Sequence, residues 1–306
     1  MIPSSLACAV ATVALAVACV APAIAQPRNI LITGFWPPTN NMLRGFSPLL
    51  GSNPGGWIGQ NWEGRGYNVY AHFPEFPGQT GPNWGRGSGD MEVDYQDVAA
   101  DFARLTGDYR PVAVVTFSRA NTARGWELEP AYQRFRLPGE PASVNGRAIP
   151  SYIPDYFGVT VPVNVPIASE PLGRIRTSNL PMQAIVSAVA TQVSSSLLNP
   201  FIDDFDPNSS SSDAFGGNFV SGYTGYLGTW YRDQNLPGQS ATPVYAAGHI
   251  HVGTNVTPAA GELGTAVTLR TLMGHLDALG VPTPGAASVL ALWGLAAVGR
   301  RRVQTS

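Results

Sequence analysis

Asn29-Ile30-Leu31-Ile32-Thr33-Gly34 is a short apolar run that stops at a glycine, with no alternation of polar and apolar residues. A strand of that kind is apolar on both faces and needs cover on both, the habit of a parallel sheet flanked by helices. The pattern recurs downstream. Val69-Tyr70-Ala71-His72-Phe73 precedes Pro74, Val112 to Phe117 follows Pro111, and Val244 to Val252 forms a fourth apolar stretch. Helical spacing fills the intervals. Asp94 is placed to cap a helix with Val98, Phe102 and Leu105 on one face. Asn179 and Pro181 open another, with Ile185, Ala188, Val189 and Val193 as its inner stripe. Thr257-Pro258 opens a third through Val267, Leu272 and Leu276 to a stop at Gly280. Strands alternating with helices predict an α/β domain with a mainly parallel sheet. Pro77 to Asp90, rich in Gly, and Asp203 to Gly217, rich in Asp and Ser, read as surface loops.

Composition narrows the chemistry. The chain has 306 residues, 44% of them apolar and 12% charged, the charged share being about half the globular norm. All 18 basic residues are Arg. That excludes a Lys Schiff base, a catalytic Lys and a Lys-bearing phosphate loop. A net charge of -2 offers no basic stripe to nucleic acid. The two cysteines are Cys8 and Cys19, both within the apolar run of residues 6 to 20. That run ends near Ala23-Ile24-Ala25, which fits a signal-peptidase cleft and predicts a mature start at Gln26. At the other end, Val281-Pro282-Thr283-Pro284 leads into an apolar stretch closed by Arg300-Arg301-Arg302. A span halted by three cations threads a membrane with the cations inside. It resembles a PEP-CTERM-type bacterial sorting tail, which implies removal by a dedicated sortase-like transpeptidase. The expected organisation is a signal peptide over 1–25, one domain over 26–281 and a sorting tail over 282–306. The expected location is exported, at the cell surface, extracellular or periplasmic, tethered by the tail until processing. The partners at the two ends are then the export and sorting machinery.

Read in order, the body resembles pyroglutamyl peptidase I, the cysteine peptidases that remove N-terminal pyroglutamate. Ile32-Thr33-Gly34-Phe35-Trp36-Pro37 is similar to that family's opening strand and loop. Asn53-Pro54, the strand into Phe73-Pro74, Tyr109-Arg110-Pro111 and Leu180-Pro181-Met182 follow in the family's order. Val220-Ser221 with Thr224-Gly225, then His249-Ile250-His251-Val252, resemble its nucleophile segment and its histidine strand. The match is collinear over residues 29 to 279. It implies a three-layer α/β/α sandwich around a mainly parallel, mixed sheet, and a hydrolase acting on a peptidic or small amide substrate.

The family's chemistry needs a thiolate, a His to deprotonate it and a Glu to orient that His. His251 falls on the family's catalytic His. The acid falls in Trp126-Glu127-Leu128-Glu129; the hydrophobic slot selects Glu129, while a one-residue slip upstream keeps Glu127 open. The cysteine slot falls at Thr229, or at Gly228 with one deletion, so the thiol mechanism is absent from the body. Phe35 keeps a pocket position and Pro38 replaces its partner. The attacking oxygen is then Thr229, Ser221 or an activated water.

Other constellations compete. His249 and His251, two apart on a strand, share a face, and with Glu127 or Glu129 they could hold Zn²⁺; the alternative is a hydrogen-bonded His249, and no metal or other cofactor is the expectation adopted. Tyr223, Tyr226, Trp230 and Tyr231 read either as core or as the lining of a substrate pocket, with Tyr223 and Tyr226 as the candidate substrate contacts. Asp203-Asp204 and Asp206 lack the Gly and terminal Glu of a calcium loop. A non-catalytic binding protein reusing the cleft is the rival to a hydrolase. A chain beginning at Gln26 has no cysteine, so iodoacetamide is expected to leave any hydrolysis unchanged. On a pyroglutamyl-coumarin amide, turnover is expected to be little or none with or without the alkylator.

Overall fold

In the computed structural model the described residues are 27–76, 88–155, 161–164 and 166–283. The expected signal peptide, nearly all of the expected sorting tail and most of the Pro77 to Asp90 loop lie outside them. The principal elements are β1 (Asn29–Thr33), β2 (Asn68–His72), α1 (Tyr95–Tyr109), β3 (Ala113–Arg119) and β4 (Gly125–Glu129). They continue with α2 (Met182–Gln192), β5 (Asn199–Ile202), α3 (Val220–Gln234), β6 (Ala246–Val252) and α4 (Pro258–Ala278).

The six strands form one sheet in the order β5-β4-β6-β3-β1-β2. β2, β1, β3 and β6 run parallel, β4 is antiparallel to β6, and β5 is parallel to β4. The sheet is therefore mixed and mainly parallel, with helices on both faces. The alternation of β1 shows why: Ile30 and Ile32 pack in a core with Val267, Leu272 and Ile185 of α4 and α2. Leu31, on the other face, packs with Val98 and Phe102 of α1 and Tyr223 of α3. The caps follow the sequence. Asp94 accepts from the backbone N–H groups of Gln96 and Asp97, and the Thr257 side chain accepts from Ala260 N ahead of Pro258 in the first turn.

Three elements depart from the sequence reading. β4 and β5 are strands that the apolar-run criterion passes over. α3 forms through Gly222, Gly225 and Gly228, residues of poor helix propensity. Those glycines let the helix come close: a Cβ on Gly225 would lie 2.3 Å from Tyr132 Cε1, and one on Gly222 would lie 1.9 Å from the Gly217 carbonyl oxygen. Asp203 to Gly217 is likewise more than a surface loop, because Phe215 within it is fully buried beside Phe135. The ring anchors the segment near its C-terminal end, while most of Asp204 to Asp213 stays exposed as a surface loop should.

Both sheet edges are blunted. On β2 the Trp57 indole donates to the Val69 carbonyl at 2.8 Å, and Val69 N donates to the Gly59 carbonyl. β5 is four residues long and includes Pro200, which has no N–H. Among the described residues no helix is long and apolar enough to cross a membrane. Gly225→Ala is expected to destabilise the fold by about 1–3 kcal/mol, because the added methyl displaces the Tyr132 ring. A denaturation midpoint measured against the parent checks it; an unchanged midpoint would show that the ring has room to move.

Candidate functional site

Strand alternation gathers the polar residues. Trp126 and Leu128 of β4, Phe117 of β3 and Ile250 of β6 face the α2/α4 core. Their neighbours Glu127, Glu129, Ser118, His249 and His251 therefore face the α1/α3 side. In register, His251 stands between Ser118 and Glu127, and His249 between Thr116 and Glu129. The side-chain bonds run diagonally. His251 Nδ1 is 2.5 Å from Glu129 Oε1, and His249 Nε2 is 2.8 Å from Ser118 Oγ. His249 Nδ1 is 2.7 Å from Thr116 Oγ1. The two imidazoles meet edge to face at 4.6 Å.

Tyr132 ties these strands together. Its hydroxyl accepts from His249 N at 2.7 Å and donates to the Glu129 carbonyl at 3.0 Å. Close approach of Gly225 sets the ring position, so the helix fixes the tyrosine and the tyrosine fixes the strands that carry Glu129 and His251.

The group opens on a cavity of about 640 Å³ at the carboxyl ends of β1, β3 and β6. Phe35, Trp36, Ser118, Arg119, Glu127, Glu129, Asp203, Asp213, Ser221 and His251 all line it. Open α/β sheets commonly bind ligands at such strand ends. Four carboxylates face Arg119 and His251, and that crowding shapes the titration. Burial pushes the Glu127 carboxyl up to about 7, with the nearby carboxylates adding to the rise and His251 opposing it. Burial and Glu129 raise Asp203 as well. For His251, burial works against the charged ring, but Glu129 beside it, with Glu127 and Asp203 behind, prevails and raises its pKa. Burial, helped by His251, drives His249 well below the ordinary 6.5. His249 is thus neutral, with one ring nitrogen donating and the other accepting.

Of the expected site residues, His251, Glu129, Glu127, Ser221 and Phe35 share the cavity wall. Glu129, rather than Glu127, holds His251. Thr229 lies elsewhere: it is fully buried and its hydroxyl donates to the carbonyls of Gly225 and Tyr226, 3.0 Å from each. The reason is the length of α3. Thr229 stands eight residues beyond Ser221, roughly 12 Å along the helix axis. Tyr223 and Tyr226 are also core residues and line none of this cavity. Tyr223 packs edge-on against Tyr95 at 5.4 Å, and Tyr226 donates to Glu170 Oε2 at 3.2 Å. Hydroxyls engage both nitrogens of His249, the hydrogen-bonded arrangement that was the alternative to a metal ligand. Among the described residues, the set that could hold a cation is Glu127, Glu129 and His251, whose ligand atoms lie within 4.8 Å of one another.

Sequence reasoning passed over Ser118 and Asp213, and set Asp203 in a surface loop rather than at the cavity wall. For Ser118 the signal was available: a polar residue near the carboxyl end of a mainly apolar strand.

The two histidines titrate with opposite effect. A raised His251 pKa stabilises the fold below 6.5, and that contribution fades as pH climbs through the folded value. Neutral His249 contributes above 6.5, and its contribution fades as pH falls below that. Glu129→Gln is expected to lower the His251 pKa, because burial then acts without the carboxylate that outweighs it. Histidine ring-proton NMR titration checks the shift; an unmoved pKa would mean that Glu127 and Asp203 suffice.

No protein-family model matches the sequence, and no curated protein matches it significantly. Among solved structures, the chain is similar to pyroglutamyl peptidase I of Bacillus amyloliquefaciens, at 12% identity and a TM-score of 0.49, covering 81% of this chain and 98% of that one. It is similar to the pyrrolidone carboxyl peptidase of Pyrococcus furiosus at 14% identity and a TM-score of 0.49, over 81% and 99% of the two chains. The pyrrolidone carboxyl peptidase of Thermococcus litoralis matches at 15% identity and a TM-score of 0.48, over 82% and 95%.

Proposed function

We propose that this chain is an exported hydrolase of a peptidic or small amide substrate that works without a thiol. His251 acts as its general acid and base, and Glu129 orients His251. The observation that carries the reading is the 2.5 Å hydrogen bond from His251 Nδ1 to Glu129 Oε1. It sits on the wall of a cavity large enough for a small ligand. With Nδ1 committed to the carboxylate, Nε2 is the nitrogen left to exchange a proton with a reacting group. That is the division of labour in a base held by an acid. Glu127, titrating at about 7, is a second group able to change protonation near neutrality. The apolar run of residues 6 to 20 and the Arg-closed tail support export and a site of action outside the cytoplasm.

The test is a panel of aminoacyl, pyroglutamyl and dipeptidyl coumarin amides. Turnover of at least one member is expected, falling on the order of a hundredfold or more in His251→Ala and less steeply in Glu129→Gln. Thr229→Val is expected to change stability rather than turnover. Turnover that survives His251→Ala undiminished would end the proposal. Saturable binding with no turnover of any member would favour a binding protein instead.

A further inference from the structure

A hydrolase needs an attacking oxygen, and one already stands hydrogen-bonded to an imidazole. Ser118 Oγ is 2.8 Å from His249 Nε2, and the other ring nitrogen of His249 is 2.7 Å from Thr116 Oγ1. Ser118, one residue before the end of β3, lies at the cavity wall that also carries His251 and Glu129. We propose that Ser118 is the nucleophile of this site and His249 the base that receives its proton, making the chain a serine acyl hydrolase. This rests on the hydrolase reading above and names its nucleophile.

The hydrogen count permits it. Thr116 Oγ1 has the Gly248 carbonyl 3.5 Å away as an acceptor. Its lone pairs are then free to accept from His249 Nδ1–H. Nε2 is left with a lone pair directed at the Ser118 hydroxyl. Burial keeps His249 neutral, the state in which that lone pair exists. Nucleophile, base and orienting group thus stand in the order that activated hydroxyls require. Thr229 meets none of these conditions. Ser221 lines the cavity, but among the described residues no imidazole is hydrogen-bonded to it.

In acylation Ser118 Oγ bonds to the substrate carbonyl carbon as its proton passes to His249 Nε2. The C–N bond then breaks, and the departing amine takes that proton. In deacylation water attacks the acyl ester. Its proton is taken up by His251, held by Glu129, and returned to the Ser118 oxygen as the acid leaves. The two histidines therefore divide the cycle, one serving each half. Thr116 in place of a carboxylate behind His249 makes acylation slow, so trapping the serine is a better readout than turnover.

The experiment is labelling of the full chain with a fluorophosphonate probe, with the adduct located by tandem mass spectrometry. The Ser118 oxygen–phosphorus bond forms, the P–F bond breaks, and His249 takes the proton. The adduct is expected on Ser118, abolished in Ser118→Ala, reduced at least tenfold in His249→Gln and retained in His251→Ala. If Ser118→Ala fails to fold, Ser118→Cys supplies the check, with iodoacetamide expected to alkylate that position. An adduct on Ser221, no adduct on the folded parent, or full labelling of His249→Gln would overturn the proposal. Amide turnover that persists in Ser118→Ala and vanishes in His251→Ala would overturn Ser118 while leaving the hydrolase reading standing. Labelling of Ser118 with turnover indifferent to His251→Ala would do the reverse.

Discussion

Burial of polar side chains beneath α3 is the constraint on which the site depends. Thr116 and His249 are fully buried, and Glu129 and Ser118 are nearly so at 2% and 3% exposure. Each such group left unpaired would cost about 1–3 kcal/mol, so they persist only as a closed set of bonds. The register of three strands supplies that closure. β4, β6 and β3 place Glu, His and Ser or Thr side by side, and the diagonal bonds satisfy them. The register of β4 matters here, since it sets Glu127 and Glu129 directly opposite His251 and His249.

The helix above completes the arrangement. α3 has no side-chain cap and carries three glycines in its first nine residues, yet it is fixed because Gly225 admits the Tyr132 ring and Gly222 the loop ending at Gly217. Tyr132 then spans β4 and β6 through its hydroxyl. Helix position, strand spacing and the Glu129–His251 bond are thus a single mechanical unit. The cavity forms where that unit meets the loops after β1 and β3.

Much of the fold was legible because several of its strands are mainly apolar and two of its helices carry side-chain caps. β1, β3 and β6 could be read from their mainly apolar runs, and α1 and α4 from Asp94 and Thr257. β4 was illegible as a strand because its two charged residues face a cavity rather than a core. Trp126-Glu127-Leu128-Glu129 therefore offered a motif and not an apolar run. α3 was illegible because its glycines pack instead of bending the chain, a fact set by Tyr132 a hundred residues away. His251 and its partner Glu129 were readable from order along the chain. Thr229 was not placeable without knowing how far α3 extends, and Ser118 was hidden because its partner bond crosses between strands.

The blunted sheet edges have a consequence for how this chain meets other molecules. Self-assembly by strand addition needs a free row of backbone donors and acceptors. Here one rim spends such groups on Trp57 and Gly59, and the other is four residues long with Pro200 in it. At either rim of the six-stranded sheet, then, a strand from another molecule finds no long free edge to pair with.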